Sequence, residues 1–239
     1  MSRNSKHMKR YASPRSWAIP RKQGIWAVNP EPGPHSKEQS LPLMVILRDM
    51  LHIGGTSSEI KKVLGRREVL VDGRPRVNYK HPVGLMDVIS IPKVNDHYRI
   101  MFDPRGKIVL KKIGEGESKW KLVRVMNKTV VKGGKFQYNL HDGRNIIFDK
   151  DSFGTGDVLK ISLPDQKVIS SYRFEEGSLA LLTGGAHIGS ICKIKRIERT
   201  RNPMPNIVEF HEGFNTILDY VFMVGKETSE LQAAEVSII

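Results

Sequence analysis

The chain has 239 residues and a formal net charge of +14, and 39% of its residues are hydrophobic and 27% charged. This is the composition of an ordinary folded protein, long enough for two or three small modules. Cys192 is the only cysteine, which excludes an internal disulfide bond and a zinc site built from cysteines. The sequence has neither an apolar run of membrane-spanning length nor a signal peptide, so a cytosolic protein is expected.

The positive charge is concentrated in the first three quarters of the chain. Residues 1–40 contain eight basic and two acidic residues, whereas residues 174–239 contain six basic and nine acidic ones. A large cationic excess favours polyanionic partners, because neutralising phosphates releases condensed counterions. An RNA contact that ends before the C-terminal segment is therefore expected.

Residues 1–40 are predicted to form a basic extended arm, because their prolines exclude a long helix. Trp17 and Trp26 are unusual in such a segment. Their rings could stack on bases or pack the arm against a domain. We expect the arm to order on RNA. Its proposed RNA-binding residues are Arg3, Lys6, Lys9, Arg10, Arg15, Trp17, Arg21 and Lys22.

Residues 41–96 are predicted to form two helices and a hairpin. Apolar residues recur at helical spacing from Leu43 to Leu51. Thr56 and Glu59 then have the spacing of a capping box, which starts a short second helix. Asp72-Gly73 predicts a hairpin turn, and Val88–Ile91 predicts a strand.

The cations of this module lie on or beside the predicted helices and hairpin, where they could contact a phosphate backbone. A solvated basic face remains the alternative. The candidate RNA-binding residues are Arg48, Lys61, Lys62, Arg66, Arg67, Arg74 and Arg76.

Residues 97–173 are predicted to form a small barrel or sandwich of short strands separated by glycine-rich turns. The expected strands are Tyr98–Phe102, Ile108–Leu110, Lys121–Val125, Lys135–Leu140, Asn145–Phe148 and Asp157–Leu163. Eight lysines lie in or beside the first half of this region. The sequence leaves open whether they bind RNA or form a solvated surface. They are Lys107, Lys111, Lys112, Lys119, Lys121, Lys128, Lys132 and Lys135.

Residues 174–225 are predicted to form a third unit with glycines at its corners and a closing strand at Thr216–Val224. Lys193, Lys195 and Arg196 form a basic run within this acidic segment and are candidate RNA contacts. The tail at residues 226–239 has no clear signal. The fold class predicted for the whole chain is α+β, with β-structure predominant.

Several short motifs occur in one order over nearly the whole chain. They are His7-Met8-Lys9-Arg10, Arg21-Lys22, Pro32-Gly33-Pro34-His35, Ser40-Leu41-Pro42-Leu43, Leu47-Arg48-Asp49, Val71-Asp72-Gly73, Gly84-Leu85-Met86-Asp87-Val88-Ile89, His141-Asp142-Gly143-Arg144-Asn145, Thr183-Gly184-Gly185 and Asp219-Tyr220-Val221-Phe222. With these motifs the chain resembles the e-type protein four family of the small ribosomal subunit, which is found in archaea and eukaryotes.

The resemblance implies a helical RNA-binding domain of the ribosomal-protein-four type at 41–96, a central β domain at 97–173 and a KOW domain, an SH3-like small barrel, at 174–225. It implies a structural protein whose partners are small-subunit ribosomal RNA and neighbouring small-subunit ribosomal proteins. No enzymatic activity, cofactor, metal, membrane or small-molecule substrate is expected.

The chain departs from the family at the turn of the KOW domain. The family usually has Arg-Asn after the two glycines and another Arg past the next glycine. Here Ala186-His187 and Ser190 take these positions, and Cys192 stands where glycine is common. Guanidinium groups that could bind a phosphate through two hydrogen bonds are thus absent, and Lys193, Lys195 and Arg196 are hypothesised to compensate.

Two other functions fit parts of the sequence. The helical module also occurs in some pseudouridine synthases, for which Asp142 would be the catalytic candidate. Asp-Gly is, however, a common turn pair, and Asp142-Gly143 predicts a hairpin turn. No nucleophile, base and oxyanion site is recognisable, and Gly184–Gly189 lacks the end of a P-loop. The second alternative is a ribosome- or transcription-associated factor whose acidic C-terminal segment binds a protein.

Overall fold

The computed structural model describes residues 7–200, 204–226, 229 and 231. These residues form two compact units. The first comprises the residues up to Met101 together with Lys107–Lys119, and the second comprises Phe102–Gly106 and the residues from Trp120 onward. As predicted, strands predominate and helices are few. No helix in the described ranges is both long and apolar enough to cross a membrane.

Residues 7–40 are folded onto the first unit and do not form a free arm. Strand β1 (Met8–Lys9) pairs antiparallel with β2 (Trp26–Ala27). The side chain of Trp17 is 1% exposed, and His35 Nε2 lies 2.9 Å from Asp87 Oδ2. The predicted extended arm is thus folded in the described residues, with the Trp17 ring buried against the rest of the unit. Of the two roles open to Trp17, the structure shows the packing role.

A two-stranded sheet joins this segment to the rest of the first unit. Strand β3 (Ser40–Pro42) pairs with β6 (Pro82–Gly84), and Pro42 is opposite Pro82. The sequence did not predict these strands, because proline lacks an N–H group and is normally confined to strand edges. Gly84 is needed here, because a Cβ atom at this position would overlap the His35 ring.

The two predicted helices are present. Helix α1 (Leu43–Val45) continues as a π-helical segment (Ile46–Met50), and α2 spans Ser57–Gly65. The capping box is formed: the Glu59 amide donates to Thr56 Oγ1 at 3.3 Å and the Thr56 amide donates to Glu59 Oε2 at 3.4 Å. A further short helix, α3 (Glu115–Ser118), was not predicted.

The main sheet of the first unit has five strands in the order β5-β4-β7-β8-β9. Their bounds are β4 Leu70–Val71, β5 Arg74–Pro75, β7 Val88–Ile91, β8 Asp96–Phe102 and β9 Ile108–Ile113. Asp72 and Gly73 both have positive φ, 52° and 73°, as the predicted two-residue hairpin turn requires. The predicted boundary at residue 97 is wrong, since β8 and β9 belong to the sheet of the helical module. Strands β7 and β8 form a hairpin in which Ile91 is opposite Asp96, and the predicted boundary falls inside β8.

The first sheet of the second unit has the order β12-β11-β10-β13-β14. Its strands are β10 Trp120–Val131, β11 Lys135–Leu140, β12 Asn145–Phe148, β13 Val158–Ser162 and β14 Val168–Tyr172. Strand β10 pairs with β13 through its first half and with β11 through its second, and the register shifts between Val125 and Asn127. Such a bulge bends a strand. The bent sheet encloses a core that includes Val123, Tyr138 and Leu159.

The second sheet of this unit has the order β18-β17-β16-β15-β19. Its strands are β15 Leu179–Leu182, β16 Ile191–Glu198, β17 Ile207–Phe210, β18 Asn215–Ile217 and β19 Val221–Gly225. Strand β16 pairs with β15 through its first half and with β17 through its second, and its register shifts between Ile194 and Arg196. The single closing strand predicted at Thr216–Val224 is wrong. A 3-10 turn at Leu218–Tyr220 divides it, and its two parts pair with different strands.

A buried ion pair links β10 to the turn between β11 and β12. Lys121 Nζ lies 2.8 Å from Asp142 Oδ2, and the two side chains are 0% and 1% exposed. Arg144 Nε lies 3.3 Å from the same oxygen. Burial would raise the pKa of the Asp142 carboxyl, but the charges of Lys121, His141 and Arg144 outweigh burial and hold this pKa below its ordinary value. Asp142-Gly143 is thus the predicted turn, and its carboxylate is neutralised from inside the protein.

We expect the Thr56→Ala variant to lower the free energy of unfolding by about 1 kcal/mol, because the Glu59 amide loses its acceptor at the start of α2. Chemical denaturation of the full chain measures this. Ser58→Ala is the matched control, since Ser58 is exposed in the same turn and is not the cap residue. Equal effects of the two variants would contradict the capping role.

We expect the Asp142→Asn variant to destabilise the chain by about 3 kcal/mol or more, because Lys121 would remain buried without a counter-charge. The wild-type contribution is complete above the ordinary aspartate pKa and is lost as the pH falls through the lowered pKa of the folded state. Denaturation midpoints measured over a pH series should therefore fall in acid, and less steeply in the variant. Replacing both partners, Lys121→Met with Asp142→Leu, should recover most of the loss.

Candidate nucleic-acid interface

One face of α2 presents cations to solvent while the opposite face is buried. Ile60 and Leu64 are 0% exposed, and Lys61, Lys62 and Arg66 are exposed. Residues three and four apart share one side of a helix, so Ile60 and Leu64 lie together on the buried side and the cations lie on the other. The cations also lie near the C-terminal end of α2, where the helix dipole favours positive charge.

The cations around α2 have no ion-pair partner in the part of the chain that the structure describes. The acidic residues nearest in sequence are engaged elsewhere: Glu59 in the capping box, and Glu68 with Lys93 Nζ at 2.6 Å. Lys61 Nζ lies 4.6 Å from the centroid of the Tyr79 ring, a cation–π contact that leaves the charge uncompensated. We call this set the α2 cation face; its members are Lys61, Lys62, Arg66, Arg67 and Arg74, all of which are exposed.

The other two candidates of this module have a different environment. Arg48 donates to both oxygens of Asp49, at 2.8 and 3.0 Å, and to Ser57 Oγ at 3.0 Å. The hydrogen bond to Asp49 raises the pKa of Arg48. Arg76 is half-buried, and its buried Nε atom has no hydrogen-bond partner among the residues that the structure describes. Both side chains are placed less favourably for phosphate than those of the α2 cation face.

In the N-terminal segment, two of the candidate arginines stabilise the fold of the segment itself. Arg10 Nε donates to the Pro20 carbonyl at 2.7 Å. Arg21 donates to the carbonyls of Tyr11 and Pro14, at 3.0 and 2.9 Å. Their guanidinium groups are thus partly occupied by backbone acceptors. Of the other candidates, Lys9, Arg15 and Lys22 are exposed, and Arg3 and Lys6 lie outside the described residues.

Of the two tryptophans of this segment, only Trp26 can meet a ligand without rearrangement. Its side chain is 59% exposed, whereas Trp17 is buried and is not a base-stacking residue in this structure. Lys9 is directly opposite Trp26 in the β1–β2 pair. Directly opposed residues of antiparallel strands share a face, so a ring and a charge lie side by side.

An open cleft of about 990 Å³ lies beside this hairpin, lined by Lys9, Lys37 and Lys80 among others. Lys80 Nζ is 3.5 Å from Glu31 Oε1. Lys37 and Lys80 were not among the predicted RNA contacts. Each is an isolated cation in the sequence, and their convergence depends on the folding of residues 29–37 onto the loop before β6.

Most of the lysine-rich β region is internally neutralised, and this decides against it as the main cationic surface. Its ion pairs are Lys112–Asp96, Lys119–Glu115, Lys121–Asp142, Lys128–Asp151 and Lys135–Asp149. The Lys107 ammonium donates to the Arg15 carbonyl. Burial lowers the pKa of Lys111, and Lys132 is exposed. Exposed ion pairs add little stability, but they cancel the local positive potential.

The basic run on β16 is exposed, and nearby carboxylates neutralise its charge only weakly. Lys195 Nζ lies 3.9 Å from Glu209, and Arg196 lies 3.9 Å from Glu198. Lys193 is exposed, and its backbone amide donates to Glu212 at 3.2 Å. All three predicted cations are exposed, but the neighbouring carboxylates weaken the positive potential.

Two family descriptions match the sequence. Residues 94–168 match the ribosomal family S4e, and residues 4–38 match the RS4NT (NUC023) domain. The small ribosomal subunit protein eS4 of Methanothermobacter thermautotrophicus is 50% identical over 228 residues, which is 94% of each chain. The protein of the same name from Methanocaldococcus jannaschii is 46% identical over 234 residues, which is 93% of this chain and 95% of that one.

The fold also matches a solved structure. The crystal structure of the 30S ribosomal protein S4e from Thermoplasma acidophilum superposes with a TM-score of 0.70 at 37% sequence identity, covering 79% of this chain and 96% of that chain. Sequence and structure therefore agree on one assignment, and the chain belongs to the ribosomal S4e family.

Proposed function

We propose that the chain is a structural protein of the small ribosomal subunit, located in the cytoplasmic ribosome, and that it binds ribosomal RNA without catalysing a reaction. Membership of the S4e family supports the assignment. The single structural observation that carries the RNA-binding role is the α2 cation face, whose five charges are exposed and have no carboxylate partner in the described residues.

The α2 cation face suits the phosphate backbone of a folded RNA. Lysines contribute mobile point charges, and arginines can bind phosphate through two hydrogen bonds. Recognition follows the shape of the RNA, because the major groove of A-form helices is too narrow for side chains to read. Trp26 supplies an exposed ring on which an unpaired base can stack.

Further parts of the proposal concern the modules. We infer that α1, α2 and the β4–β5 hairpin act as the RNA-binding module of the ribosomal-protein-four type. We infer that β15–β19 form a KOW-like small barrel, with Lys193, Lys195 and Arg196 as secondary RNA contacts in place of the arginines missing from its turn. In this proposal the second unit braces the RNA complex and meets neighbouring ribosomal proteins.

The RNA-modifying alternative has no support from Asp142. Its carboxyl is buried against Lys121 and its pKa is lowered, so it is a poor general base and is closed to a substrate. The acidic C-terminal segment remains the feature that would favour a protein-binding factor.

We expect native protein in cell extract to comigrate with the small ribosomal subunit on a sucrose gradient and to remain bound at high salt. Integral ribosomal proteins are held by many simultaneous contacts, which salt weakens but does not abolish. Immunodetection across the gradient measures this. Protein at the top of the gradient, or released at moderate salt, would overturn the assignment.

We expect replacement of Lys61, Lys62, Arg66 and Arg67 by alanine to weaken binding to small-subunit ribosomal RNA and to reduce the slope of log K against log salt concentration by about 3, since each lost phosphate contact removes slightly less than one unit. Filter binding at several salt concentrations measures both quantities.

The matched control for this experiment replaces Lys112, Lys119, Lys128 and Lys135 by alanine. It removes the same formal charge, but from lysines that are already paired with carboxylates. The control should leave the slope nearly unchanged. Equal slopes for wild type and the α2 variant would remove this face from the RNA contact.

A further inference from the structure

Three asparagines lie side by side across three adjacent strands of the second unit. Asn127 of β10 is opposite Asn139 of β11, and Asn139 is opposite Asn145 of β12. Directly opposed residues of antiparallel strands project from the same face. Neighbouring strands are about 4.8 Å apart, so the three amides form a row about 10 Å long. We call this the asparagine row.

The next row on the same face is also uncharged. Thr129, Gln137 and Ile147 are opposite one another, two residues along each strand from the asparagines. Gln137 Nε2 donates to Asn139 Oδ1 at 2.9 Å, so the two rows are in contact. Protein surfaces are commonly about 25–35% charged, and 27% of this chain is charged. These six adjacent strand positions form a continuous uncharged patch on a basic chain.

The asparagine row is not explained by stability. Asparagine is depleted in strands, because it packs poorly on a pleated surface. The side chains of Asn127 and Asn145 are exposed and make no hydrogen bond to any residue that the structure describes. Residues that disfavour their own secondary structure, and gain no stabilising interaction in return, are expected at functional sites.

One end of this face carries two free cations. Lys132 is in the turn between β10 and β11, and Lys150 follows β12. Both are exposed and have no ion pair among the residues described, whereas Lys135 and Asp149 nearby pair at 3.0 Å. The face therefore combines a neutral hydrogen-bonding surface with positive charge at its end.

We propose that the asparagine row contacts the minor groove of double-stranded RNA, an inference that rests on the proposed RNA-binding function. The minor groove of A-form RNA is wide and shallow and displays 2′-hydroxyl groups, which both donate and accept hydrogen bonds. Asparagine amides do the same, so each amide can satisfy a 2′-hydroxyl in either direction. Lys132 and Lys150 then contact phosphates at the edge of the groove.

The composition of the face favours RNA over a protein partner. The centres of protein interfaces are enriched in aromatic residues, methionine and arginine. The two rows contain none of these, and Ile147, 54% exposed, is their one large apolar side chain. A surface of amides and one hydroxyl is better matched to ribose than to an apolar protein patch.

This contact differs from the α2 cation face in a measurable way. Amides neutralise no phosphate, so they release no counterions. Loss of the asparagine row should lower affinity at every salt concentration by the same factor and leave the salt slope unchanged. It should also reduce the preference for RNA over DNA, because the 2′-hydroxyl is the group that distinguishes them.

The test uses the full chain with Asn127, Asn139 and Asn145 replaced by alanine. Affinity for transcribed small-subunit ribosomal RNA is measured by filter binding over a salt series. Binding to an RNA duplex is compared with binding to a DNA duplex of the same sequence. We expect affinity for RNA to fall about tenfold or more, since three hydrogen bonds are lost, and the RNA-to-DNA preference to fall with it. The control variant is Ser171→Ala with Asn215→Ala, exposed polar residues on other strands of the unit.

The outcomes separate this inference from the proposed function. If wild-type protein fails to bind ribosomal RNA, the proposed function itself fails. If the α2 variant weakens binding but the asparagine variant keeps wild-type affinity and RNA preference, only the minor-groove contact is wrong. Should the asparagine variant not fold, wild-type protein is tested with a duplex carrying 2′-deoxy substitutions. An undiminished affinity for that duplex would falsify the contact.

Discussion

The pairing of lysine with carboxylate determines which cations of this basic chain are neutralised within the fold and which remain available to a polyanion. In the β10–β12 region three lysines pair with aspartates: Lys128 with Asp151, Lys135 with Asp149, and the buried Lys121 with Asp142. Around α2 the nearby acids are used for capping and for Lys93, so the helix keeps a positive potential. Since potential, and not composition, attracts phosphate, the α2 cation face is expected to attract phosphate more strongly than the lysine-rich β region.

Two bulged strands shape the second unit. Strands β10 and β16 each pair with different partners through their two halves, with register shifts at Val125/Asn127 and Ile194/Arg196. A bulge increases bending and twist, so each sheet can enclose apolar residues on one side and expose a polar face on the other. In the first sheet the exposed side carries the asparagine row, and the register that follows the shift between Val125 and Asn127 places Asn127 opposite Asn139.

In the N-terminal segment, arginines stabilise the fold by hydrogen bonding to the backbone. Arg10 and Arg21 donate to backbone carbonyls within the segment, and Trp17 is buried. Such hydrogen bonds satisfy acceptors in a stretch with little regular structure. A folded support of this kind lowers the entropy cost of the RNA contact proposed for Lys9 and Trp26, compared with a disordered arm.

The sequence by itself determined the local features: the capping box of Thr56 and Glu59, the Asp72-Gly73 turn, most strands of the β region, and the family through its ordered motifs. These depend on residues close together in the chain, so their signals are local. Tertiary structure alone decided the burial of Trp17, the pairing of β3 with β6, and which lysines of β10 have carboxylate partners. The alignment of three asparagines likewise exists only through strand register. Each of these depends on contacts between residues distant in sequence, for which no local pattern is required.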